Sequence, residues 1–239
     1  MSSLNSLFTI PITDIILWFV ALLFSLSFHE AAHAWTSERF GDDTGRLQGR
    51  ISLNPAVHID PIGTILFPLM SFLPGMLPLF GWAKPVETNP LRWRDKTKAN
   101  IAVSGAGPVS NFILATLTFL ALKTLLLTGV VVPPSAFAES GPFDVVVPGA
   151  AQAAVMAPVA KLLCIMLLLN VSLAVFNLIP LPPLDGSHIL ESILPGNLAE
   201  TYVRFRVLGF MLLLALSWMG VFGFIIRPVY HVVLGMLYF

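Results

Sequence analysis

The sequence predicts an all-α integral membrane protein, a multi-span helical bundle with one re-entrant segment and a small membrane-associated β element. Three observations lead there. Of 239 residues, 56% are apolar and 11% are charged, against about 25% charged in an ordinary soluble domain, so polar side chains are too few to cover a water-facing surface. Apolar runs long enough to cross a bilayer recur along the chain. One such run, 61–82, is punctuated by Pro68, Pro74, Gly75 and Pro78, which remove backbone donors and disfavour an unbroken helix. The 13 basic and 13 acidic residues balance, so nothing in the charge indicates a nucleic-acid partner. Cys164, inside an apolar run, reads as a small core hydrophobe.

Taken in order, the run 12–35 has roughly 24 residues and reaches about 36 Å at ~1.5 Å per residue, enough for a hydrocarbon core of about 30 Å. No Lys or Arg precedes it, so it is expected to be a retained span and not a cleaved leader. Run 61–82 is expected to re-enter. Runs 99–132 and 150–179 are interrupted only by Lys123 and Lys161 and can span with tilt. Both lysines are expected to snorkel toward an interface. A fifth span is expected over 202–219, after which Gly220 and Gly223 offer a bend. The last stretch, 221–239, is just long enough to cross but carries Arg227 and Pro228, and spanning and interfacial placements both stay open.

Basic residues test this layout, because short cytoplasmic loops collect Lys and Arg. Stretch 37–98 runs from Arg39 to Lys98 with basic residues throughout, whereas 133–149 has none, and Arg204 and Arg206 stand before the fifth run. If 61–82 re-enters, every basic loop falls on one side, which places 37–98 toward the cytoplasm. With no internal repeat and no long linker, residues 1–239 are expected to form one membrane domain. Segments 49–53 and 81–86, apolar and bounded by turn residues, read as short strands of a small sheet, with Pro85 restricting the second to an edge.

Ionisable groups inside a membrane helix cost about 2.5–3.5 kcal/mol each, so a cluster in the first span needs a reason. His29, Glu30 and His33 form an H-E-x-x-H pattern. On a helix the two imidazoles share a face and can grip one zinc ion, while Glu30 projects beside it as a general base for water. A catalytic zinc needs a third protein ligand and an open fourth position. Asp185, His58 and His188 are the candidates. Asp185 follows a Pro-rich unwinding after Asn177 that can aim a carboxylate back into a bundle.

Three blocks of this sequence resemble the site-2 protease family of intramembrane zinc metalloproteases: His29 to His33, Gly105 through Gly107, Pro108 and Asn111, and Asn177 through Gly186. Together they frame about residues 12–190, with C-terminal helices over about 200–239. The resemblance implies a three-helix metalloprotease core, with Zn2+ held one per chain by His29, His33 and Asp185 and Glu30 as the base. It also implies that Asn177 hydrogen-bonds the substrate carbonyl or oxyanion. Ser187 and His188 depart from the Gly and Arg that commonly follow Asp-Gly in the family. The chain looks like a compact prokaryotic member without peptide-binding or nucleotide-sensing domains, located in the cell membrane with its site toward the cytoplasm. Its expected partners are the lipid bilayer and a transmembrane protein substrate, whose peptide bonds it hydrolyses within or near the membrane. Strand 81–86 is a candidate to hold unwound substrate.

Gly107, Asn111 and Ala115 make a small helix face on which Gly107 and Ala115 are read as packing residues and Asn111 as a further site candidate, and Asn170, seven residues before Asn177, is read as a structural amide. A membrane metal-ion transporter and a non-proteolytic binding protein are the rival readings. Against the first, the histidines and carboxylates concentrate at one depth instead of forming a ladder across the bilayer.

Overall fold

Four stretches of this chain combine length and apolarity sufficient to cross a bilayer, and each forms a long helix. The computed structural model describes residues 10–73, 81–134, 143–149 and 153–239. Helix α1 (Ile12–Arg39) opens behind Pro11 and contains neither Gly nor Pro, so nothing interrupts its 28 residues. After Gly41 the chain turns into α2 (Thr44–Leu47). A π-helical turn at Pro61–Leu66 then leads into α3 (Phe67–Ser71). Helix α4 (Lys96–Leu127) starts where the Asp95 carboxylate caps the Lys98 N–H at 3.0 Å and continues through Pro108. A short antiparallel pair, β1 (Val131–Val132) and β2 (Val147–Pro148), precedes α5 (Ala153–Asn177). The chain ends with α6 (Asp185–Ile193), α7 (Gly196–Arg204), α8 (Arg206–Trp218) and α9 (Val221–Tyr238).

Helices α1, α4 and α5 pack pairwise and form the centre of the molecule. Fully buried Ala21 and Ala174 sit at these contacts, where small side chains let helix backbones approach. The outward faces are apolar: Ile16, Val109, Leu117 and Phe224 are all more than half exposed, as expected of surfaces that meet lipid instead of water.

Segment 61–82 returns to its starting level. The Trp82 N–H donates to Gly63 O at 3.0 Å, and the Thr64 hydroxyl donates to Trp82 O at 2.8 Å. Its two described ends are therefore adjacent. Pro74, Gly75 and Pro78 lie outside the described residues.

Two expectations are corrected, and one open placement gains a helix. The run 202–219 is not a fifth full span: the helix breaks at Phe205, and the 13 residues of α8 reach about 20 Å, short of a core of about 30 Å. Arg204 and Arg206 flank this break, and Arg206 is drawn to Glu191. Stretch 221–239, left open by the sequence, forms an 18-residue apolar helix long enough to cross, entered through Gly220 at φ 72°, a left-handed turn that favours glycine. The small sheet is built from β1 and β2, not from 49–53 and 81–86. In the latter, alternate N–H groups have separate partners: Trp82 bonds Gly63 O, Lys84 bonds His58 O and Val86 bonds the Glu30 carboxylate. The Arg50 guanidinium donates to the carbonyls of Val57 and Lys84, so a side chain ties these loops together where a ladder was expected.

Both Lys123 and Lys161 have partners in the fold. Lys123 donates to the carbonyls of Met236 (3.3 Å) and Leu237 (3.0 Å), capping the end of α9. Lys161 pairs with Asp14 at 3.1 Å and with Asp144, linking α5, α1 and the segment before β2.

Candidate metal centre

On α1, His29 and His33 stand one turn apart with ring centroids 4.7 Å from each other. Asp185, first residue of α6, reaches back so that its Oδ2 lies 3.1 Å from His29 Nε2 and 3.5 Å from His33 Nε2. One ligand atom from each of the three lies within 4.8 Å of the others. Ligands bound tetrahedrally at ~2.0–2.1 Å from zinc stand about 3.3 Å apart, so these separations suit one zinc ion.

The hydrogen bonds behind the ligands sharpen this fit. His29 Nδ1 donates to Asn111 Oδ1 at 2.7 Å, and His33 Nδ1 donates to Val103 O at 2.7 Å. Each bond fixes the tautomer that leaves Nε2 as a lone pair aimed at the common point. Asp185 Oδ2 is buried and has no hydrogen-bond partner. A buried carboxylate oxygen facing two imidazole lone pairs is repulsive by itself, and a shared cation resolves the repulsion. Glycine at 107 is required here, because a Cβ at that position would fall 2.4 Å from His33 Nε2 and 2.5 Å from His29 Nε2.

Beside the triad lies a cavity of about 450 Å³, lined among others by Glu30, Val86, Asn177 and His188. Glu30 is 8% exposed and its Oε2 accepts the Val86 N–H at 3.0 Å. Asn177 shares the cavity and donates through Nδ2 to Leu173 O at 3.0 Å. His188 faces the cavity from α6. His58 is elsewhere: its Nε2 donates to Ser52 O at 2.8 Å within the 50–60 loops, and burial together with the nearby Arg50 charge pushes its imidazole below the ordinary range. Of the three candidates for a third ligand, only Asp185 joins the two histidines.

Two buried amides stand behind His29. Asn111 Nδ2 donates to Asn170 Oδ1 at 2.9 Å, and Asn170 Nδ2 donates to Ser25 Oγ at 2.8 Å. Both asparagines are fully buried, so a satisfied polar chain runs from His29 across α4 and α5 and back to α1. Small residues at Gly107 and Ala115 signal a close face at Asn111, but no spacing rule joins Asn111 to His29.

The model of peptidase family M50 matches residues 17–218. The chain is 34% identical to YwhC of Bacillus subtilis over 209 residues, 87% of this chain and 83% of that protein. It is 32% identical to Rip2 of Mycobacterium tuberculosis over 169 residues, 71% of this chain and 54% of Rip2. Rip2 of Mycolicibacterium smegmatis is 29% identical over 194 residues, 81% of this chain and 63% of that protein. The names of all three describe a zinc metalloprotease. The chain thus spans about half to two thirds of the Rip2 proteins. No solved structure gives a significant match.

Proposed function

We propose that this chain, which belongs to peptidase family M50 and is an integral membrane zinc metalloprotease of the site-2 type, hydrolyses peptide bonds within or beside the transmembrane segments of membrane protein substrates. The observation that carries this reading is the convergence of His29, His33 and the unpartnered Asp185 Oδ2 beside Glu30, in a cavity among apolar helices. Residues 1–239 act as one intramembrane peptidase domain in the membrane of a prokaryotic cell, with the site toward the cytoplasm, where the basic loops of 37–98 lie.

His29, His33 and Asp185 are the ligands of one zinc ion. Bound there, zinc supplies Lewis acidity, polarising a carbonyl and acidifying water. Glu30 takes a proton from the attacking water and returns it to the leaving amine. The Val86 N–H holds one carboxylate oxygen of Glu30 and leaves the other for this transfer. Asn177 donates through its remaining amide N–H to the substrate carbonyl as negative charge develops. Segment 81–86, one wall of the cavity, takes the unwound substrate along its edge. Cysteines at Trp82 or Val86 should then cross-link to bound substrate.

Purified full-length protein reconstituted with single-span substrates tests the reading. Wild type should cut, and a chelator should stop it. Glu30→Gln should keep about one zinc per chain and lose about 100-fold or more in rate, as removing a general base costs 10²–10⁴. Undiminished cutting by Glu30→Gln would remove Glu30 from the role of base, and zinc transport without cutting would overturn the peptidase assignment.

A further inference from the structure

We infer that His188 touches the substrate: its Nε2–H, kept in that tautomer by Arg206, donates to a main-chain carbonyl oxygen of the peptide seated beside the triad. The inference deepens the peptidase reading above and rests on it.

Asp185 begins α6, and His188 follows three residues later, one turn along the same helix face. Both line the cavity that holds Glu30. The two nitrogens of His188 have unlike surroundings. Nδ1 lies 3.2 Å from Arg206 Nη2 and 3.8 Å from Glu191 Oε2; the guanidinium carries only donors and the carboxylate is beyond hydrogen-bond reach, so the neutral ring accepts at Nδ1 and carries its proton on Nε2. Nε2 has no hydrogen-bond partner among the described residues. Burial and then the Arg206 charge push the imidazole below its ordinary range, consistent with a neutral ring.

The supporting atoms are fixed as well. Arg206, first residue of α8, is bound by Glu191. Asn100 on α4 donates to His188 O at 3.2 Å and to Ser192 Oγ at 2.7 Å, pinning α6 to the central helices. Phe210 and Leu213 on α8 join the cavity wall, so α8 supplies both the Arg206 contact and part of the surface beside the donor. Arg206 acts through His188 and is a positioning residue. Were His188 only a link between α6 and α8, its loss would change stability without separating kcat from KM.

The test uses reconstituted, zinc-loaded full-length protein and one single-span peptide substrate. His188→Ala should lower kcat about 100-fold with KM within about twofold, because the bond strengthens in the transition state. His188→Gln, which offers a neutral N–H, should recover to within about tenfold of wild type. Arg206→Ala should lower kcat about tenfold in wild type and have no effect in the His188→Gln background. Zinc content should be unchanged throughout, and imidazole 15N shifts should show an Nε2-protonated ring in wild type and mixed tautomers in Arg206→Ala.

A His188→Ala kcat within twofold of wild type overturns the inference, as does an equal effect of Arg206→Ala in both backgrounds. If His188→Ala does not fold, the Arg206→Ala comparison decides alone. A wild type that cuts nothing removes the peptidase reading, and this donor role with it. A wild type that cuts as fast without His188 removes the donor role alone.

Discussion

Ionisable groups gather at two places along α1, and the two clusters are built on opposite principles. Near the start of α1, Asp14, Lys161 and Asp144 satisfy one another with opposite charges. Fifteen residues further along α1 the cluster is His29, His33 and Asp185, where a buried carboxylate oxygen has no hydrogen bond and two imidazole lone pairs face it. The first set is complete as it stands. The second has the donor set for a shared cation. A polar group inside a membrane protein is thus assigned to architecture or to chemistry by whether its neighbours already balance it.

Two substitutions should pull the two clusters apart, and a pH titration probes a third, separate polar site. The largest effect is expected from Lys161→Met, which leaves Asp14 and Asp144 without their shared cation. Stability should fall by about 3 kcal/mol, the range found when one partner of a buried ion pair is removed. Denaturant unfolding in detergent measures it, and the zinc affinity of the folded fraction should not change. A loss of zinc affinity comparable to the loss of stability would mean the clusters are not independent.

Asn111→Leu should do the reverse. It removes the acceptor that holds His29 Nδ1–H and should weaken zinc binding 10–100-fold, the usual effect of losing a partner behind a metal ligand. Competition with a chromogenic chelator reads this directly, and unchanged affinity would contradict the tautomer argument.

The smallest effect concerns a polar knot outside the spans. Burial raises the Asp42 carboxyl, but donors from Thr44, Asn89 and Ser37 outweigh it and hold the group below the ordinary carboxylate range. A depressed folded value means that this contribution is fully present above about pH 4 and is lost as pH falls through the folded value. Stability measured from pH 6 down to 3 should drop in wild type and drop less in Asp42→Asn. Parallel curves would deny Asp42 this part.

How much of this was legible beforehand differs by feature. The pair His29 and His33 was legible because helical spacing alone puts both rings on one face. Asp185 needed the family resemblance, since 152 residues separate it from His33 and local pattern left His58 and His188 open. Asn170 was legible as a structural amide, whereas the place of Asn111 behind His29 emerges only where α4 crosses α1. The fifth span failed for a local reason, as its apolar stretch Leu208–Trp218 is short and the helix breaks at Phe205 between Arg204 and Arg206. The strands expected at 49–53 and 81–86 failed because the Arg50 side chain and the Glu30 carboxylate took the bonds that a ladder would have used.

Zinc K-edge absorption on purified protein, wild type beside Asp185→Ala, decides the matter most directly. Wild type should hold about one zinc per chain with two imidazole nitrogens and a carboxylate oxygen in its shell, and the variant should lose that oxygen and most of the metal. Full occupancy with an unaltered shell in Asp185→Ala would show that these three side chains do not share one ion.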